Sequence, residues 1–573
     1  MKTKILTLFI SLLSVTFANA QNPILIPGTI SGTSVTLNLQ NGTHQFFDGV
    51  TTNTMGANGN ILGPTLILQK GDFVDFTVNN QLEDTTTIHW HGMHVSASND
   101  GGPHTVIAPG GSWSPSFTVR DKAGTYWYHP HLHMKTNKHV SLGIAGFIFV
   151  KDEEEAALDL PRTYGVDDFP LAIQTKDFDA DKQIVVPSNS DDVIMVNATI
   201  DPYLEVPAQI VRLHLLNGSS MRVFNIGLSG NSSFYMIGSD GGLLSEPIEL
   251  TRLQLAPGER AELLIDFTGM MGQSIQLMSY ASEFPNGIYG ATYPGMNSSM
   301  VLNGYNPNPL NGNDFNIMSF NVIAQTENPV TEVPSTLVEV TPIPEGDANI
   351  TRTLTFTPEN MGMNQLNGIF LINGGSFDMD VINYSIPEDN VEIWEITNSS
   401  AIAHPFHIHD VQFYVLDRNG ATPPLSEQGR KDVILVKRQE TVRFIAKFED
   451  FGGDTIPYMY HCHMLIHEDG GMMGQFVVTS PTGISDNKND NLDIKIYPNP
   501  AKNSITISSS NKSNENIEMV IFDMHGKIIL SRQIILNDNT TINVSSLAEG
   551  IYTVVLKSSD KISTNKLIIN KYE

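Results

Sequence analysis

One cysteine in 573 residues is the first scarcity of this chain. Without a second thiol no internal disulfide can form, and Cys462 is left for other chemistry. Positive charge is scarce as well: 33 lysines and arginines face 61 aspartates and glutamates, a formal net charge of −28. So acidic a surface repels phosphate backbones instead of releasing their counterions, which excludes nucleic acid as a partner and otherwise serves solubility. Long apolar runs are missing except at the start. There Lys2 and Lys4 precede a run from Ile5 to Phe17, and Ala18-Asn19-Ala20 offers the small residues of a signal-peptidase site. The run is too short to span a bilayer, so residues 1–20 read as a signal peptide, the mature chain as starting at Gln21, and no membrane span is expected. Long helical periodicity is scarce too. In its place 46 glycines and 31 prolines punctuate short runs such as Thr65-Leu66-Ile67-Leu68 and Phe73-Val74-Asp75-Phe76-Thr77-Val78. The fold class is all-β, and the length corresponds to about four domains.

What is present is histidine, and it is clustered. Of 17 histidines, many fall in four groups: His89-Trp90-His91, His129-Pro130-His131, His404-Pro405-Phe406-His407-Ile408-His409 and His461-Cys462-His463. In each, imidazoles at i and i+2 share a strand face. The last group places the only thiol between two histidines, and neighbouring strand residues face opposite ways. A thiolate at Cys462 can therefore hold a metal on one face while His461 and His463 hold others on the opposite face, with the backbone as the electron path between them. A soft thiolate, two imidazoles and a weak thioether form a blue-copper ligand set, which Cys462, His467, Met472 and one residue of the His404 group supply. A buried inert thiol is the competing reading of a lone cysteine, and the flanking histidines argue against it.

The four groups resemble the signatures of the multicopper oxidase family, most closely its bacterial three-domain branch of cuprous oxidases, spore-coat laccases and bilirubin oxidases. The resemblance rests on Thr87-Ile88-His89-Trp90-His91-Gly92 with Asp100-Gly101-Gly102-Pro103, on Gly124 through His133, on His404 through His409, and on His461 through Met473. It implies three cupredoxin-like Greek-key β-sandwich domains and four copper ions. His404, Cys462 and His467 would hold the type 1 copper, with Met472 as axial ligand. His89 and His407 would hold type 2, and His91, His129, His131, His409, His461 and His463 the type 3 pair, closing a trinuclear cluster between the first and third domains. The implied reaction is one-electron oxidation of a reducing substrate at type 1, coupled to four-electron reduction of dioxygen to water at the cluster. Substrate then needs only to approach the exposed edge of an imidazole such as His467 or His404.

Making water consumes protons, and the carboxylates placed to supply them are Asp100 and Glu468. By resemblance both belong to the proton network; the alternatives are that Asp100 only shapes a turn and Glu468 only solvates a surface. His44, His94, His104, His133, His139, His214 and His525 lie outside the ligand pattern and read as surface or hydrogen-bonded structural residues. Substrate class is the open question. Ser400-Ala401-Ile402-Ala403 puts no acid before His404, the Met-rich insert of copper-detoxifying members is absent, and the scattered Met296, Met300, Met361 and Met363 read as core filler. A phenol or aromatic amine is favoured, with a cuprous or ferrous ion as the alternative and a copper-binding protein without turnover as the third reading.

A strand ending in a polar turn recurs at Val74 to Asn80, Val211 to Ser220 and Val391 to Ser400, which suggests three related sandwiches. No histidine pair follows Ser220, so the middle one reads as copper-free. The domains are placed at 21–151, 160–324 and 343–481, with a linker at 483–491. Residues 492–573 carry Ile496-Tyr497-Pro498-Asn499-Pro500, Ile521 to Lys527, Leu547 to Tyr552 and Lys566-Leu567-Ile568-Ile569. Unaided, these say small β-sandwich, and a carbohydrate-binding module would carry more aromatics. They are similar to the C-terminal sorting domain of the type IX secretion system. That implies export through the periplasm, contact with the secretion machinery, and release or surface attachment. A monomer is expected.

Overall fold

Alternation decides where the strands lie. Along Phe73–Asn80 the residues Val74, Phe76 and Val78 are buried while their neighbours face outward, as a half-buried strand requires. The computed structural model describes residues 21–306, 308–360, 366, 368–480, 494–509, 516–523, 527–535, 539–557 and 562–571. The signal peptide, the linker 483–491, His525, Met361 and Met363 lie outside them. At 48% strand and 6% helix the chain is all-β, and it forms two units, one up to Ser480 and one from Pro481 onward.

The first unit holds three sandwiches, each with its own apolar core. In the first, a five-stranded sheet runs in the order Thr29–Ser31, Thr65–Gln69, Gly146–Lys151, Gly124–His129, His89–His91. It faces a second sheet built on Ser34–Phe47 and Phe73–Asn80, and Leu37, Phe76, Trp90 and Ile148 fill the space between. The second sandwich has sheets of seven and six strands around Leu213, Phe224, Leu263 and Phe320. Asn22–Pro23 also belongs to it, running parallel to Pro202–Pro207. The third packs two five-stranded sheets over Trp394, Phe406, Phe444 and Phe476. Its inner strands are Tyr458–Cys462 and His404–Ile408.

Strand pairing gathers the histidines before any side chain is considered. In the first sandwich His89 lies opposite His129, and Trp127 opposite His91, on antiparallel neighbours. In the third, His407 lies opposite His461 and Phe406 opposite Cys462. Two distant sequence motifs in each sandwich thus become one patch. In the middle sandwich the strand that follows the recurring polar turn, Phe224–Leu228, carries no histidine; His214, on the preceding strand Ile210–Asn217, has its Nε2 2.7 Å from Asp168 Oδ1.

The second unit is a small sandwich of a three-stranded and a four-stranded sheet. Ile505, Ile507, Met519, Ile521, Val554, Leu556 and Leu567 form its core.

Candidate metal centre

Around Cys462 three side chains converge inside the third sandwich. Its Sγ lies 3.5 Å from His404 Nδ1 and 3.7 Å from His467 Nδ1. Cys462 ends the strand Tyr458–Cys462, and the chain then turns into the short helix Leu465–Asp469, which carries His467 back beside the sulfur. Met472, fully buried in the same core, is tied to the pair through its backbone: the Cys462 N–H donates to the Met472 carbonyl at 3.0 Å, and the Met472 N–H to the His467 carbonyl at 2.9 Å. Burial pushes the Cys462 thiol well up, so the thiolate needs a cation beside it. Ser400, noted from the sequence only as not being an acid, holds His404: its Oγ is 2.9 Å from Nε2.

Neither imidazole offers the exposed edge expected from the sequence. His404 is 0% and His467 3% exposed, because the strand Phe370–Ile372 lays Phe370 over both rings at 4.6 Å between centroids. Any electron transfer from outside to this site would have to cross this cover. The signal was present in Phe370-Leu371-Ile372, an apolar run with no evident partner in the sequence.

The other eight ligand candidates meet between the first and third sandwiches, all of them buried. His131 Nε2 is 3.0 Å from His461 Nε2 and 3.2 Å from His409 Nε2, and the last two are 3.4 Å apart. His91 Nδ1 is 3.3 Å from His129 Nε2, and the His463 ring lies 4.9 Å from that of His91 and 5.5 Å from that of His129. His89 stacks on His409, and His91 on His407, each at 3.8 Å.

Hydrogen bonds to backbone carbonyls fix the tautomers of four rings. Nδ1 donates to a backbone carbonyl in His89 (Asp100, 2.9 Å), His129 (Pro130, 2.8 Å), His407 (Asp432, 2.8 Å) and His461 (Cys462, 3.1 Å). In His409 it lies 2.8 Å from Asp100 Oδ2. A carbonyl only accepts, so in those four rings the proton sits on Nδ1 and the Nε2 lone pair faces the cage. His91 is turned the other way: its Nε2 is 3.1 Å from Asp432 Oδ1, leaving Nδ1 to face inward.

Asp432 was not singled out from the sequence. Its carboxylate is gripped by Arg260 of the middle sandwich, with Nη1 to Oδ1 at 2.6 Å and Nη2 to Oδ2 at 2.5 Å. Gly92, at φ +84°, leaves the room this pair occupies. The middle sandwich touches the cage again at Gly258, where a Cβ would sit 2.9 Å from the His463 ring. No local motif announces either contact, since both depend on domain docking.

Both sequence-selected carboxylates are buried against the cage, each 1% exposed. Asp100 ends the helix Ala97–Asp100, and Gly101 follows at φ +82°, where a side chain would collide with the Ile88 carbonyl. That tight crossing brings Asp100 Oδ1 to 3.3 Å from His89 Nδ1, besides its bond to His409. Glu468 follows His467 on its helix, about 100° further round, and so leaves the sulfur for the cage. Its oxygens lie 3.4 Å from His131 Nδ1 and 3.4 Å from His461 Nδ1, and burial raises its carboxyl well above the usual range.

Outside the cage, His139 pairs with Thr86, His104 with Gln475, His44 with the Ala198 carbonyl, and His94 with Asp410. The His133 ring rests against Phe377 at 5.1 Å.

Residues 38–155 and 347–482 match family models described as multicopper oxidase. The chain is 33% identical over 455 residues to the multicopper oxidase mco of Staphylococcus haemolyticus, covering 78% of this chain and 88% of that protein. The chain belongs to the multicopper oxidase family. It is also 31% identical over 444 residues to the cell division protein FtsP of Proteus mirabilis, covering 76% and 88%. Among solved structures it is similar to the laccase-like multicopper oxidase CueO from Ochrobactrum sp., at 34% identity and a TM-score of 0.70 over 80% of this chain and all of that one. Residues 495–570 match the secretion system C-terminal sorting domain.

The residues fit the copper that the family implies. Burial, with the neighbouring rings, holds His91, His129, His131, His404, His407, His409 and His463 well below their usual range, and His461 and His467 at about 3. The rings are therefore neutral. Nε2 of His89, His407 and His467 and both nitrogens of His463 are buried without a hydrogen-bond partner. Buried lone pairs aimed at one another without protons between them call for cations.

Proposed function

We propose that this chain is an exported oxidase that takes electrons singly from a phenol or aromatic amine and delivers four of them to dioxygen, releasing water. The observation that carries this reading is the bridge His461-Cys462-His463: the sulfur faces His404 and His467, while its two neighbours stand in the cage of eight imidazoles. His404, Cys462, His467 and Met472 would hold one copper (type 1) and His89 with His407 a second (type 2). His91, His129 and His463, and His131, His409 and His461, would hold the remaining two (type 3). Bound copper supplies the one-electron redox chemistry at both places and the site for dioxygen.

The chain's own residues do the rest. The backbone on either side of Cys462 gives the short covalent path between the two places. Asp432 and the backbone carbonyls keep the inward nitrogens free of protons. Four electrons and one dioxygen need four protons to end as two waters. Glu468, whose carboxyl burial holds above its ordinary range, and Asp100, hydrogen-bonded to His409, stand where those protons must arrive. Burial of the cage keeps partly reduced oxygen inside.

A second reading, oxidation of cuprous or ferrous ions, is favoured by one feature. Met300 packs against the core that contains Cys462, on a loop whose Gly295 adjoins Leu366. The third reading is a copper-binding protein without turnover; its support is that one relative is named for cell division and not for oxidation. The tail's similarity supports delivery through the periplasm to the outside or the cell surface. Oxygen uptake by the fully copper-loaded chain, compared across a phenolic dye, cuprous ion and ferrous ion, is the deciding experiment. Faster uptake with the dye is expected, faster uptake with a metal ion selects the second reading, and no uptake with any of the three contradicts an oxidase.

A further inference from the structure

A cavity of about 340 Å³ opens between the first and third sandwiches, away from the histidine cage. In a chain of net charge −28, five of the 33 lysines and arginines line it: Lys70, Arg120, Lys122, Arg430 and Lys447. Three have partners. Arg120 meets Asp450 at 2.5 Å, Lys122 meets Glu154 at 2.6 Å, and Lys447 lies between Asp389 and Glu449 at 3.4 and 3.3 Å. The acids on the wall turn one oxygen each to His94: Asp410 Oδ1 lies 2.9 Å from its Nδ1, and Asp121 Oδ1 accepts its backbone N–H at 3.0 Å, while Asp410 Oδ2 and Asp121 Oδ2 are buried without a hydrogen-bond partner.

Lys70 and Arg430 make no ion pair among the described residues, and the Nε of Arg430 is buried without a hydrogen-bond partner. Both side chains are half-buried, one contributed by each sandwich. Two like charges held in one concavity repel each other, and the low-dielectric walls strengthen the repulsion. An anion between them removes the cost. Arginine's planar fork suits oxygen pairs, and lysine adds a point charge. Tyr414 and Gln412 on the same wall add neutral hydrogen-bonding groups.

We propose that this cleft is a binding site for a small oxyanion of two or more negative charges, phosphate or a dicarboxylate, held between Lys70 and Arg430. The ligand would bridge the first and third sandwiches. It would also lie beside the segments that run on from His91 to His94 and from His409 to Gln412, where Gln412 Nε2 already donates to the Gly92 carbonyl at 3.2 Å.

The test is calorimetric titration of the copper-loaded full chain with inorganic phosphate and, in parallel, with succinate, at ionic strength fixed by sodium chloride. One saturable site is expected for at least one probe, and the stronger of the two identifies the anion class. Lys70→Gln and Arg430→Gln should each weaken it about tenfold, the loss of one charge-assisted contact. Should Arg430→Gln fail to fold, Lys70→Glu carries the test, because a reversed charge at that half-buried position should abolish binding. Absence of saturable binding by both probes overturns the proposal. So does undiminished affinity in the folded variants, including the case where the copper spectrum shifts and the anion sits on the metal.

Discussion

Single side chains decide what the cage can do. Asp100 touches two of its rings at 2.8 and 3.3 Å. Asp100→Asn keeps the shape and loses the proton-carrying carboxylate, so substrate should bleach the oxidised protein at the normal rate while reoxidation by dioxygen slows at least tenfold. An unchanged reoxidation rate in stopped-flow would reduce Asp100 to a turn residue. Asp432→Asn should act through His91 instead. With its acceptor replaced by an amide that can present N–H, the ring loses the bond that fixes its tautomer, and copper content should fall below that of the parent by metal analysis. The histidine pairs and Cys462 were legible in the sequence because their spacing carries meaning on a strand, whereas Asp100 and Glu468 were selected only by the family resemblance. Asp432, Arg260 and Ser400 were neither, since an acid, a base and a hydroxyl carry no period, and their roles arise only when three sandwiches dock.

At the scale of elements, the strand Phe370–Ile372 is the clearest departure from what the sequence suggested. It covers His404 and His467, so Phe370→Ala should open a path to His467. Turnover of bulky phenols should rise relative to small ones, at a stability cost of about 3–5 kcal/mol for a buried phenylalanine. Equal rates for large and small substrates in both proteins would show that electrons enter elsewhere. The sandwiches themselves were visible as alternating runs with recurring polar turns. Invisible was the pairing of Asn22–Pro23 with Pro202–Pro207, because a two-residue strand has no pattern and its partner lies far along the chain.

For the whole molecule, burying nine imidazoles in their neutral form makes stability depend on pH. Between about pH 6.5 and pH 3 the unfolded chain binds protons that His461, His467 and their neighbours refuse when folded, so stability is full above that window and falls as pH drops through it. Glu468 and other carboxyls raised by burial, among them Asp121, Glu259, Asp410, Asp432 and Asp469, work in the opposite sense, against the nine cage and sulfur-site rings and the lowered His44, His133 and His139. Thermal melting of the metal-free protein should therefore move to lower temperature from pH 7 to pH 5, and a melting point independent of pH would contradict the burial of neutral rings. The tail has its own core, so truncation after Thr482 should keep copper content and oxidase activity yet leave the protein in the periplasm. Loss of copper would make the tail structural, and normal export would remove its sorting role. The central claim, that Cys462 joins two copper sites into one circuit, is tested most directly by the visible spectrum and metal content of Cys462→Ser. The strong thiolate-to-copper absorption should vanish and substrate oxidation with it, while copper remains in the histidine cage. Retained blue colour would contradict the account.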